Sequence, residues 1–141
     1  MGQVRVLIVD DFEPWRNAVR SILTHDSKIR VVGECSNGAD AVEKCRELHP
    51  DLVLLDVELP GMNGFVTAQR ISEISPATKI LFLSANSSFE VVRASLKHGG
   101  GLVTKAEASR ELLRVIRSIA QNEPSIRWKF LEGDLPDLEE T

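Results

Sequence analysis

Short aliphatic runs alternate with amphipathic stretches along the whole chain. Val4-Arg5-Val6-Leu7-Ile8-Val9 is nearly continuous in branched and aliphatic residues. It is too short for a helix and reads as a strand buried on both faces. Asp10-Asp11 ends it, and Glu13-Pro14 opens a helix, since proline's missing N–H does no harm in a first turn. Trp15, Val19, Ile22 and Leu23 then recur at helical spacing to about Thr24. A second strand covers Ile29 to about Glu34. Ser36-Asn37-Gly38 turns the chain into a helix over Ala39 to Leu48, which His49-Pro50 stops. Leu52-Val53-Leu54-Leu55 is a third buried strand ending in Asp56. Pro60-Gly61 and Asn63-Gly64 mark a loop, and a helix follows to about Ile74. Ile80-Leu81-Phe82-Leu83 is a fourth strand, ending at Ser84. A helix from about Ser88 to Lys97 stops at Gly99-Gly100-Gly101. Leu102-Val103-Thr104 is a short fifth strand ending at Lys105, and an amphipathic helix runs from about Ala106 to Gln121.

Five consecutive βα units predict a parallel sheet covered by helices on both faces. Five strands are too few for the eight-unit barrel, so the expected α/β fold is a doubly wound, flavodoxin-like (βα)5 sheet. Residues 1–121 form the expected domain. Residues 122–141 form an acidic extension or linker, with no second domain expected.

Composition narrows the class without deciding it. The 141 residues are 43% hydrophobic and 27% charged, as in ordinary globular chains. No apolar stretch approaches the roughly 20 residues that span a bilayer, and the first strand begins too early to leave room for a signal peptide. A cytoplasmic protein is therefore expected. Cys35 and Cys45 lack metal-ligand or CxxC spacing and read as small buried apolar residues. The net charge of −4 is that of residues 122–141 alone, which carry six acids and two bases. With no basic stripe to neutralise a phosphate backbone, direct nucleic-acid binding is not expected.

The chemistry lies in where the polar residues fall. In open parallel sheets, binding groups gather beyond the carboxyl ends of the strands. Those ends here carry Asp10 and Asp11, Asp56, Ser84 and Lys105. Any one of them alone would be an ordinary turn, cap or solvated residue. Together, three carboxylates at one rim repel one another unless a cation lies between them, and hard oxygen ligands suit Mg²⁺. The lysine supplies a mobile charge for phosphate oxygens, and the serine hydroxyl a further donor. The set fits phosphoryl transfer onto a carboxylate, with Asp56 as the accessible nucleophile on a central strand.

On these residues the sequence resembles the receiver domain of bacterial two-component response regulators, over residues 4–121. The resemblance rests on Asp10-Asp11, on Leu52 to Asp56, on the loop Leu59-Pro60-Gly61-Met62-Asn63-Gly64, and on Ser84-Ala85 and Lys105. It implies that Asp56 accepts phosphate from a sensor histidine kinase or phosphotransfer protein. It further implies that Asp11 and Asp56 bind Mg²⁺ with the backbone carbonyl of Glu58, Asp10 acting through water. Ser84 and Lys105 would then contact the phosphoryl group. Output would pass through protein contacts of roughly residues 86–121 to a downstream protein, a fused output domain or a second copy of the chain.

Three positions depart from the family pattern. Leu102 stands where Tyr or Phe is usual, so an aromatic relay cannot operate in its usual form. Ala106 stands where a cis proline is usual, so a trans bond is expected after Lys105. The triple glycine should loosen the entry to the fifth strand. A non-phosphorylated pseudo-receiver, an interaction module that no longer switches, is the alternative that Leu102 and the glycine run motivate. A hydrolase turning over at Asp56 would need a second acid and a substrate cap, and no cap-sized insertion exists. A flavodoxin-like cofactor binder is disfavoured by the acidic first loop.

Overall fold

The computed structural model describes residues 2–85, 88–98 and 100–121. The sequence-based expectation for the extension at 122–141 lies outside the described residues. Strands β1 (Val4–Val9), β2 (Ile29–Cys35), β3 (Leu52–Asp56), β4 (Lys79–Ser84) and β5 (Gly101–Thr104) alternate with helices α1 (Glu13–Leu23), α2 (Gly38–Leu48), α3 (Gly64–Ile74), α4 (Phe89–Lys97) and α5 (Ala108–Ala120). All strand pairs are parallel, in the order β2-β1-β3-β4-β5. This is the expected doubly wound sheet.

Local chemistry sets the boundaries. Pro14 lies in the first turn of α1. Asn37, Asn63 and Ser88 cap α2, α3 and α4 by accepting the backbone N–H of Asp40, Val66 and Val91. His49 closes α2 in a left-handed conformation, φ 45°, just before Pro50. The main departure from the sequence reading is the start of the last helix. Lys105–Glu107 form a 3₁₀ turn, in which Thr104 Oγ1 donates to the Glu107 carboxylate at 2.9 Å, and α5 begins only at Ala108. The peptide bonds of the described residues are trans, including that between Lys105 and Ala106.

Alternation along the central strands splits the core into two layers. Val6, Ile8, Leu52, Leu54, Leu81, Leu83 and Val103 face α1 and α5, meeting Val19, Leu23, Leu112 and Ile116. Leu7, Val9, Val53, Leu55, Phe82 and Leu102 face the other way, against Ala41, Cys45, Ala68, Ile71 and Val92. Both cysteines are free and buried, and burial pushes their thiols up to about 11 (Cys35) and about 12 (Cys45).

Gly100, just before β5, has a packing reason that side-chain direction in the fold decides. Gly100 is buried, and a Cβ there would lie 2.7 Å from a ring carbon of Phe82 and 3.1 Å from the Ile80 carbonyl oxygen. At this position glycine permits a close approach of backbone to ring. The Phe82 ring meets Phe65, tilted at 56° with centroids 4.9 Å apart, and the His98 ring stacks on Phe65 at 5.5 Å and an interplanar angle of 15°. His98 is the half-buried C-cap of α4, and desolvation holds its pKa below the ordinary value.

Candidate functional site

Beyond the carboxyl ends of β1 and β3 the strand order reverses direction, leaving a crevice where ligands of such sheets bind. Asp10 and Asp56 enter it from adjacent strands. Both are almost fully buried, at 1% and 3% exposure, while Asp11 is exposed. One ligand atom from each of Asp10, Asp11 and Asp56 lies within 4.8 Å of the other two.

Each acid is held by its surroundings. The Asp10 N–H donates to the Cys35 carbonyl at 3.0 Å, tying the end of β1 to β2. One Asp10 carboxylate oxygen accepts the Phe12 N–H at 2.9 Å, and the other accepts Lys105 Nζ at 2.7 Å. Lys105 Nζ lies 3.6 Å from Asp56 Oδ2 and so bridges the two buried acids. The Glu58 N–H donates to Asp56 Oδ1 at 3.1 Å. Behind Asp56 the chain folds back tightly. Val57 N–H donates to the Leu83 carbonyl and Gly64 N–H to the Val57 carbonyl, each at 3.0 Å. Gly64 then sits on the Asp56 peptide, where a Cβ would fall 2.4 Å from the Asp56 carbonyl oxygen.

The electrostatics follow from this geometry. Burial first, and the Asp10 charge second, push the Asp56 carboxyl up to about 6, against the opposing pull of Lys105 and the Glu58 N–H. One lysine does not neutralise three carboxylates, so the rim retains an excess of negative charge and three hard oxygen donors. That donor set, with Asp11 open to solvent, fits a divalent cation such as Mg²⁺.

Of the sequence-predicted site residues, Asp10, Asp11, Asp56 and Lys105 converge. Ser84, at the end of β4, is fully buried, and its hydroxyl donates to the Glu58 carboxylate at 3.1 Å. Glu58 thus meets the site through its N–H and its side chain. Two residues at the start of α1 also reach the site, Trp15 being read from sequence only as part of the helix's apolar face. Arg16 donates to the Asp10 carbonyl oxygen at 2.7 Å and to Glu34 at 3.1 Å, and the Trp15 ring lies 5.2 Å from Lys105 Nζ. Their signal for the site is position, four and five residues after Asp11.

A family model described as the response regulator receiver domain matches residues 6–117. The protein-glutamate methylesterase/protein-glutamine glutaminase 1 of Methanosarcina acetivorans is 36% identical over 132 residues, covering 87% of this chain and 38% of that protein. The nitrate/nitrite response regulator protein NarL of Escherichia coli K12 is 35% identical over 119 residues, 84% of this chain and 55% of that protein. The chain therefore spans only part of the length of these relatives. In structure, the response regulator domain of Thermotoga maritima CheB superposes with a TM-score of 0.79 at 28% identity, covering 86% of this chain and 99% of that one. With the family model matching residues 6–117 and the fold shared with solved receiver domains, the chain belongs to the response regulator receiver domain family.

Proposed function

We propose that the chain is a signalling switch in which Asp56 accepts a phosphoryl group in a Mg²⁺-dependent reaction. The observation that carries the reading is the placement of Asp56: buried at the end of β3, beside Asp10 and Asp11, and within 3.6 Å of Lys105. Asp11, Asp56 and the backbone carbonyl of Glu58 would hold the cation, with Asp10 acting through water. The bound ion supplies neutralisation of the phosphoryl oxygens during transfer.

The remaining steps belong to the protein's own side chains. An Asp56 carboxylate oxygen attacks phosphorus in line with the donor, forming an acyl phosphate. With a phosphohistidine donor, the P–N bond breaks and the departing imidazole nitrogen takes up a proton. Lys105 Nζ, already between Asp10 and Asp56, pairs with a phosphoryl oxygen, and Ser84 exchanges its bond to Glu58 for another. Releasing that bond alters the end of β4, from which contacts near α4, β5 and α5 change.

A sensor histidine kinase or phosphotransfer protein is the donor this reading requires. The output is a downstream protein, a fused output domain or a second copy of the chain, and the setting is cytoplasmic. No helix among the described residues is long and apolar enough to cross a membrane. The role is that of a phosphoacceptor that assists its own phosphorylation and dephosphorylation rather than that of a turnover enzyme.

The test is intact mass after incubation with Mg²⁺ and acetyl phosphate, beside an Asp56→Asn variant. The expected result is a phosphate-sized increment that requires both Mg²⁺ and Asp56. No increment, together with no saturable Mg²⁺ binding, would replace this reading with that of a pseudo-receiver.

A further inference from the structure

We propose that Trp15 is a positioning residue for Lys105, its indole face seating the ammonium in the gap between Asp10 and Asp56. Three observations lead there. First, Lys105 Nζ lies 5.2 Å from the Trp15 ring, inside the range of a cation–π contact, and tryptophan is the best aromatic partner for one. Second, the Lys105 side chain is 23% exposed, so its flexible stem has open solvent to swing into, and the carboxylates alone leave that exit free. Third, the Trp15 Nε1–H is buried without an acceptor among the described residues.

That third observation separates a seat from ordinary packing. Trp15 also borders the α1–α5 core layer, a task an aliphatic side chain could perform without burying an unmet donor. What only the indole contributes is a large negative π-face turned to the ammonium. Arg16, the next residue, is tied to the Asp10 carbonyl and to Glu34, so the turn carrying Trp15 moves with the end of β1. Trp15 and Asp10 therefore hold Lys105 from two sides, and the ammonium stays within 3.6 Å of Asp56, where a phosphoryl oxygen would arrive.

The inference rests on the reading of Asp56 as phosphoacceptor, and two arms keep the two apart. In the first, phosphorylation by acetyl phosphate and Mg²⁺ is timed by intact mass. Trp15→Leu is expected to slow it about fivefold, and Trp15→Phe to recover most of the rate. In a Lys105→Met background, Trp15→Leu is expected to cost nothing more, because its effect passes through the missing ammonium. Multiplying losses in the double variant, or an unchanged rate in Trp15→Leu, would overturn the proposal. The second arm needs no phosphate. In a Trp128→Phe protein, which leaves Trp15 as the sole indole, Lys105→Met is expected to change the Trp15 emission. Identical emission would overturn the seat. Failure of the unaltered protein to take phosphate would sink the phosphoacceptor reading instead, and emission would then decide the proposal by itself.

Discussion

Asp56 is ionised at neutral pH against both its burial and its neighbour Asp10, and Lys105 offsets only part of that load. The consequence for stability has a definite sign. The folded-state pKa of about 6 lies above the ordinary value of 3.8. Between those values the folded protein binds more protons than the unfolded chain, so its stability falls as pH rises through the window. Above about 6 the full penalty is present. Asparagine cannot ionise and keeps the shape of the neutral side chain. In metal-free buffer at pH 7.5, Asp56→Asn is therefore expected to be more stable than the parent, by up to about 3 kcal/mol. The advantage should shrink toward zero as pH falls below about 4. Paired urea melts at pH 7.5 and pH 4 measure it, and a variant no more stable at pH 7.5 would show that Lys105 alone balances the site. The opposite case is Asp26. Its carboxylate accepts the Lys28 N–H and the Arg117 guanidinium, which hold its pKa below the ordinary value, so its contribution is present at neutral pH and fades in acid.

At the scale of elements, the site depends on how closely α3 returns to β3. Two glycines in that loop test different physics. Gly61 has φ +73° with open space around it, so a side chain there meets backbone strain but no obstacle. Gly64 begins α3, where a Cβ would lie 2.4 Å from the Asp56 carbonyl oxygen and 2.8 Å from the Val57 Cα. Gly64→Ala is expected to destabilise by about 1–3 kcal/mol and to slow phosphorylation, because relief requires the Asp56 backbone to move. Gly61→Ala is expected to destabilise by about 1–2 kcal/mol with the phosphorylation rate nearly unchanged. Melting curves and timed mass spectra on both variants check the contrast, and equal rates would detach α3 from the site. From sequence, the Pro60-Gly61 and Asn63-Gly64 pairs identify a loop, but not which glycine bears on the chemistry. That distinction lies in contacts made after the chain has closed.

Legibility follows the same division at the scale of the whole molecule. Strands ending in Asp10, Asp56, Ser84 and Lys105 could be read because a parallel sheet gathers its strand ends at one rim. That rule needs only chain order and hydrophobic runs. The seat of Lys105 on Trp15, ninety residues away, the Ser84–Glu58 bond and the approach of Gly100 to Phe82 could not be read, since each depends on side-chain direction in the folded protein. The rim also links folding to metal. Any cation that binds the folded protein and not the unfolded chain stabilises it by RT ln(1 + [L]/Kd). At this rim it also offsets the Asp10 repulsion that adds to burial in raising Asp56. Because the metal favours the ionised carboxylate, the proton must leave first wherever pH lies below about 6. The apparent Mg²⁺ affinity at pH 5 should therefore be about tenfold weaker than at pH 7.5. At a fixed subsaturating Mg²⁺ concentration, the rise in Tm should be larger at pH 7.5 than at pH 5. Asp56→Asn should remove both most of the rise and its pH dependence. Calorimetric scans of the two proteins with and without Mg²⁺ at the two pH values decide it. A rise that survives intact in Asp56→Asn would place the cation on Asp10 and Asp11 alone and separate metal binding from the phosphoacceptor.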